Sequence, residues 1–467
     1  MRDNAKSQKR RYEIDMCSGP IISKLLLFTG PLILSNILQL LFNAADVIVV
    51  GKYAGDNSLA AVGSVGPVTN LMINLFIGVS IGANVMASRY FGAKDEKHFS
   101  ETMHTSMLVS IIGGVVLSVI GVVTTRQILI WMSSPEEVID LATVYLRIYF
   151  IGMPAQLLYN FGSAILRAIG DTKRPMYYLT FAGIVNVILN LIFVIVLHMD
   201  VAGVALATII SQIISAVLVV RCLMNEEGAL KLSIHELRID KGILVKIIQI
   251  GLPASLQGVT FSFSNIIIQA SVNSFGATVV AGNSAAQNIE GFVYVAMNSF
   301  YQACLSFVSQ NVGARKFGRI NAVTIRAEIC VIITGLVLGN LGYIFGYSLL
   351  GLYTQSLVVM EAGMVRMLYI LCPYCLCGMM DVMVGAIRGL GYSVMPMIVS
   401  LIGACGLRLF WIFTFFRLPR FHRPEYLFIT YPISWMLTFL VHVICYIIVK
   451  KKFDERMKIA EQKMERY

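Results

Sequence analysis

Residues 31–51 read PLILSNILQLLFNAADVIVVG, an apolar run that nevertheless carries a carboxylate, Asp46. About 20 such residues are enough for a helix to cross a bilayer. A charge at mid-membrane costs about 2.5–3.5 kcal/mol on insertion scales. Counting back from Asp46, polar residues stand at Asn43, Gln39 and Asn36. Steps of three and four residues put all four on one helical face. Pro31 removes one backbone hydrogen bond from the same helix and predicts a kink there. Two readings stand. Asp46 is either an acid at a helix end, solvated by headgroups beside Lys52, or a cation or proton site facing a polar cavity inside a bundle. A stripe of amides leading to the charge is more than packing needs and favours the second.

The rest of the chain is as apolar as this stretch. Of 467 residues, 57% are hydrophobic and only 13% charged, which no soluble domain of this size matches. Apolar runs follow one another and predict twelve spans, at 21–49, 58–88, 101–124, 137–166, 174–198, 201–224, 244–274, 278–309, 323–347, 357–387, 393–416 and 427–449. An even number places both termini on one side. Most of the 37 Lys and Arg lie in the tails, in the even-numbered loops or at span flanks on that side. The positive-inside rule makes that side cytoplasmic. The net charge of +11 is therefore topological; it points to anionic lipid at Lys450, Lys451 and Lys452 rather than to nucleic acid. No A-x-A site follows the first run, and its polar stripe argues against a cleaved signal peptide. The cluster Cys372, Cys375 and Cys377 lacks histidines at ligand spacing, so buried thiols are expected there and no metal.

The chain also repeats itself. Gly30-Pro31 returns as Leu252-Pro253, Asn43 as Asn265, FGAK at 91–94 as VGAR at 312–315, ILRAIG at 165–170 as AIRGLG at 386–391, and Pro175 as Pro396. Ordered matches at offsets of 221 or 222 predict two homologous halves. Six spans in each half make the repeat parallel, a transporter architecture. The expected organisation is a cytoplasmic tail (1–20), an N-lobe (21–224), a hydrophilic linker (225–243), a C-lobe (244–449) and a basic cytoplasmic tail (450–467). The halves are not chemically equal, because Ile268 stands where Asp46 would recur. The second half carries its own polar stripes: Ser262, Asn265 and Gln269, then Gln287, Glu290, Tyr294, Asn298 and Tyr301, and further on Asp381. Asn265, Gln269, Glu290, Tyr294 and Asp381, with Gln39 and Asn43, are the candidate substrate contacts. A structural ion pair or headgroup exposure is the alternative for the two acids. Arg388 reads as a loop-end residue like Arg167, and Arg408 as a deeper cation able to pair with Glu290 or Asp381.

No phosphate-binding glycine loop, zinc-protease helix, nucleophile elbow or selectivity filter is present. An enzyme is not expected, and transport would draw on an ion gradient.

The repeat, NAADVIVVG at 43–51, GVALATIISQ at 203–212, and the pair RAIGD (167–171) and RGLG (388–391) together resemble the MATE family, multidrug and toxic compound extrusion, over nearly the whole chain. The resemblance implies an all-α polytopic membrane protein with two parallel-repeat six-helix lobes around a central cleft. It implies export of amphipathic compounds, cationic ones above all, against inward H⁺ or Na⁺, with no other cofactor. A monomer in the plasma membrane is expected. It also implies a cation site made by an aspartate in the first span, an asparagine and an aspartate four apart in the fifth, and a threonine in the sixth. Asp46, Asn186 and Thr208 match, and Asn190 replaces the second aspartate, which weighs against Na⁺ more than against H⁺. Phe261 and Cys377 stand where some members carry second-lobe acids. Pro31 matches the family's first-span proline. The alternatives are a flippase for lipid-linked saccharide precursors, whose cleft would be lined by cations, and an ion channel.

Overall fold

The computed structural model describes residues 12–132 and 134–464. Lys9, Arg10 and Arg11 of the expected N-terminal tail and the last three residues of the C-terminal tail lie outside the described residues. The first half runs through α1 (Ile21–Tyr53), α2 (Asp56–Gly92), α3 (Glu96–Trp131), α4 (Glu136–Ile151), α5 (Met153–Ala168), α6 (Lys173–Leu191) and α7 (Asp200–Met224). The second runs through α8 (Lys241–Asn273), α9 (Ala277–Gly313), α10 (Phe317–Ile344), α11 (Leu357–Arg366), α12 (Cys375–Gly389), α13 (Val394–Ser400), α14 (Leu407–Phe413) and α15 (Thr430–Met464).

Among the described residues, nine helices are long and apolar enough to cross a membrane, and two bent pairs bring the number to eleven. The 37-residue α9 lies where the sequence predicts the eighth span, but its apolar run is broken by Asn283, Gln287, Glu290 and Asn298 and it is not one of the eleven. Two spans expected to be continuous are bent instead, α4 against α5 by 46° and α11 against α12 by 40°. Pro154 opens the second piece of one, and Pro373 precedes the second piece of the other, where neither ring leaves an N–H for the helix ladder. By contrast α1 runs unbroken through Pro31, and α8 through Pro253. Isoleucine, leucine and valine cover the outside of several spans. Ile112, Val115, Val116, Val119 and Val123 of α3 and Ile433, Leu437, Leu440, Ile444 and Ile447 of α15 are all exposed at helical intervals. Faces of this kind belong in hydrocarbon.

The described chain falls into two compact units. Gly30–Gly251 forms the body of the first. The second contains Met16–Thr29 and everything from Leu252 onward, so α1 and α8 each contribute to both. Inside the units the same devices recur. The left-handed turn glycines Gly55 and Gly276 both have φ 88°, and Lys94 and Arg315 both have φ 55°. Such values are rare for residues with a Cβ. A Cβ on Gly114 of α3 would sit 2.5 Å from the Pro154 Cα, and one on Gly335 of α10 would sit 2.6 Å from the Cys375 Cα. In both units a glycine of the third span lets the bend of the fourth press against bare backbone. Gly335→Ala should therefore destabilise the second unit by about 1–3 kcal/mol, the usual cost of overpacking. A lower unfolding midpoint in detergent checks this.

The 225–240 segment is ordered against the first unit. His104 Nε2 accepts from the Ser233 N–H at 3.1 Å, and Thr105 Oγ1 from the Asp240 N–H at 3.1 Å. α15 continues through the basic Lys450–Lys452 as one helix to Met464.

Candidate functional site

In the first unit the polar side chains of three helices converge. Phe42 of α1 lies over Gly183 of α6, where any side chain would collide with its ring. One turn further along α1, Asp46 reaches Asn190 of α6. Asn190 Nδ2 donates to Asp46 Oδ1 and also approaches Asn186 Oδ1 at 3.3 Å. Asn186 Nδ2 lies 3.5 Å from Thr208 Oγ1 of α7, which lies 3.5 Å from Asp46 Oδ2. Thr208 Oγ1 lies 2.9 Å from the Val204 carbonyl oxygen and 3.5 Å from Asp46 Oδ2, and its one proton can be donated to either. The closest donor to Asp46 is the Asn190 amide.

The helices are fixed below the site by one apolar cluster containing Val49 and Val50 of α1, Tyr145 and Tyr149 of α4, and Val204 and Ala205 of α7. Asn186 and Asn190 are buried, Asp46 and Thr208 half-buried. Asn190 has no exposure at all, yet its Oδ1 has no hydrogen-bond partner among the described residues. Immediately beyond it the α6 backbone widens over Ile192–Val196, with the Leu197 N–H bonded to the Ile192 carbonyl. Such widened turns often lie beside functional groups. Asp46, Asn186, Asn190 and Thr208 are thus brought together. Gln39 and Asn43 share the Asp46 face of α1 but are exposed and stand apart from this set.

The second unit holds a different polar interior. Glu290, expected to offer charge to a substrate, has both oxygens taken by Arg366 of α11, at 2.8 Å from Nε and 2.7 Å from Nη2. Arg366 Nη1 donates to Asn283 Oδ1 at 2.7 Å, and Asn283 Nδ2 to Gln269 Oε1 at 3.2 Å. Arg366 escapes the polar-stripe pattern, although a lone base inside an apolar run is itself a signal. Tyr294 is partly exposed and packs on Tyr374 at 6.4 Å. Asn265 is exposed, and Asp381 is half-buried.

Two further arginines are buried. Arg388 stands at the loop end of its span, in the last turn of α12 as Arg167 stands in that of α5, and donates to the Tyr301 hydroxyl at 2.9 Å and to Gln257 Oε1 at 2.8 Å. Arg408 pairs with neither acid and instead donates to Ser434 Oγ at 2.8 Å. A further acid, Glu328 of α10, has both oxygens buried without a hydrogen bond among the described residues. Gly339 abuts Leu371, Gly335 abuts Cys375 and Gly378 abuts Val331. Continued for one turn, that antiparallel register brings Glu328 level with Asp381.

Paired six-span repeats with polar groups gathered at span depth define a secondary-transporter architecture. The chain belongs to the MATE family: the MatE family model matches residues 31–192 and again 253–414. The second match begins and ends 222 residues after the first, the spacing of the internal repeat. Among curated relatives, the probable multidrug resistance protein YoeA of Bacillus subtilis is 30% identical over 388 residues, covering 81% of this chain and 84% of that protein. The multidrug export protein MepA of Staphylococcus aureus is 22% identical over 347 residues, covering 73% and 76%. Two solved structures match the fold over 94% of this chain and 98% of their own, each at 21% identity. One is an outward-facing multidrug resistance MATE family transporter, with a TM-score of 0.87. The other is a MOP superfamily transporter from Pyrococcus furiosus described by the reversed polarity of its binding pocket, with a TM-score of 0.88.

Proposed function

We propose that the protein is a proton-coupled antiporter that exports amphipathic compounds, organic cations above all, across the plasma membrane, with both termini cytoplasmic. The observation that carries this reading is the pairing of one carboxylate with one buried amide whose other end is unpartnered. Ionised, Asp46 accepts from Asn190 Nδ2. Protonated, it donates to Asn190 Oδ1 after the amide turns over, an exchange that releases Asn186 Oδ1 from Asn190 Nδ2. A site built for Na⁺ would direct oxygens at the ion, whereas here an N–H₂ group faces the only acid of the set. Neutralising Asp46 removes a charge from the bilayer interior and favours the conformation that buries it deepest. Pro31, where α1 lacks one backbone hydrogen bond, is the natural point for that helix to bend. The names of the relatives YoeA and MepA support drugs as the cargo.

The test is reconstitution into vesicles with a pH gradient or a Na⁺ gradient imposed separately, following ethidium. The pH gradient alone should drive the dye. Movement driven only by Na⁺ would overturn the proton assignment.

A further inference from the structure

The stretch WIFTFFRLPRFHRPEYLF at 411–428 breaks the charge pattern of the chain. It carries the connection between the predicted spans 393–416 and 427–449, an odd-numbered loop. With cytoplasmic termini the positive-inside rule disfavours bases there. Yet it holds Arg417, Arg420, His422 and Arg423 against one acid, Glu425, among seven aromatic side chains. The first unit has no counterpart. Eight residues, 192–199, without Arg or Lys separate α6 from α7, whereas sixteen, 414–429, separate α14 from α15. The second family match ends at 414, so these bases lie past what it covers.

The segment is held in place by its own rings. Phe416 is buried, with Phe275 at 5.7 Å and His422 at 4.7 Å from its ring. Phe415 packs on Trp411 at 5.0 Å, and Phe421 on Tyr426 at 5.3 Å. On that frame Arg417, Arg420 and Arg423 are all exposed. Arg417 lies 5.7 Å from the Phe413 ring and Arg420 6.0 Å from that of Phe421. Among the described residues none of the three has an ion pair, and Glu425 joins none of them. Phe413, Phe415 and Leu418 beside them are each about half exposed. The place in the fold gives this mixture a meaning. From Thr430 to Lys450, α15 rises about 30 Å at 1.5 Å per residue, the thickness of a hydrocarbon core. The arginines therefore lie at one bilayer surface and Lys450–Lys452 at the other.

We propose that Arg417, Arg420 and Arg423 hold the phosphate of an anionic phospholipid, with its acyl chains against Phe413, Phe415 and Leu418. The forked guanidinium matches phosphate oxygens, and aromatic rings settle at headgroup level. A soluble phosphate would answer the charge but leave the apolar side chains in water. That the lipid comes from the outer leaflet rests on the orientation proposed above; the binding does not.

The test needs no gradient, so its failure and a failure of proton coupling are separate results. The full chain is placed in nanodiscs of phosphatidylglycerol and phosphatidylcholine in equal parts, one or the other lipid carrying a photoactivatable diazirine. After illumination, chymotryptic digestion and mass spectrometry locate the label. A base at a membrane surface is worth about fivefold in affinity for anionic lipid. The 411–428 stretch should therefore take label from phosphatidylglycerol about tenfold or more over phosphatidylcholine. Arg417→Gln, Arg420→Gln and Arg423→Gln together should abolish that preference and leave the phosphatidylcholine label unchanged. The three matching changes to lysine keep the charge and should retain the preference within about threefold, because phosphate also accepts from lysine. Equal labelling by the two lipids in wild type, or a preference that survives the glutamine variant, overturns the proposal. Equal loss in the glutamine and lysine variants marks a merely structural role and overturns it too. Glycerol 3-phosphate, the headgroup phosphate without its chains, should not compete at millimolar concentration. Displacement by it would assign the arginines to a soluble phosphate and overturn the lipid.

Discussion

An Asp46→Asn protein should fold, insert and unfold at the same temperature as wild type or a higher one, yet carry ethidium no faster than empty vesicles under a pH gradient. Asparagine keeps the size and planarity of the side chain, so α1 still packs Phe42 over Gly183. It can still accept from the Asn190 amide and still sits beside Thr208. What it cannot do is gain and lose a proton. Because one ionisable group at membrane depth is replaced by a neutral one, stability is not the quantity at risk. The Asp46 set contains one acid, so no neighbour takes over. Asn190→Ala is the useful control: it removes the amide that serves both protonation states but leaves the acid, so gradient-driven transport should weaken without vanishing. If Asp46→Asn vesicles concentrate ethidium at the wild-type rate, the coupling site is elsewhere, and the unpartnered Glu328 beside Asp381 becomes the next place to look.

The sequence carries the fold well because hydrocarbon imposes a one-dimensional code. Span length, the even count and the 222-residue echo are all properties of order along the chain. The polar set of the first unit is half legible for the same reason: Asn186 and Asn190 are four apart, and Asp46 ends a stripe. Thr208 is ambiguous, because a span threonine usually bonds its own helix. The structure keeps both readings, with the hydroxyl in reach of the Val204 carbonyl and of Asp46 Oδ2. What is not legible depends on neighbours distant in sequence. Nothing near Gly335 announces that Cys375 rests on it. Arg366 and Glu328 have no polar stripe to mark them, and their meaning comes from other helices. Arg408 has an acid-pairing role on paper, but its helix turns it to Tyr431 and Trp435 instead.

That dependence on partners sets the second large effect. Glu290 and Arg366 are each almost fully buried and joined by two short hydrogen bonds. Glu290→Gln leaves the guanidinium without its counter-charge, and Arg366→Gln leaves the carboxylate likewise. Breaking a buried pair from one side costs about 3–5 kcal/mol, because the remaining charge cannot leave. Each single variant should therefore unfold far more readily in a denaturant titration, or fail to accumulate in the membrane. The double variant, neutral on both sides, should recover most of the loss, since two uncharged groups of similar volume need no counter-ion. Transport by the double variant then separates two roles for Glu290. If the acid only holds α9 to α11, ethidium export returns together with stability. If it also offers charge to the cargo, the protein will be stable and still fail to move the dye, and the expectation that Glu290 meets the substrate will have survived its engagement with Arg366.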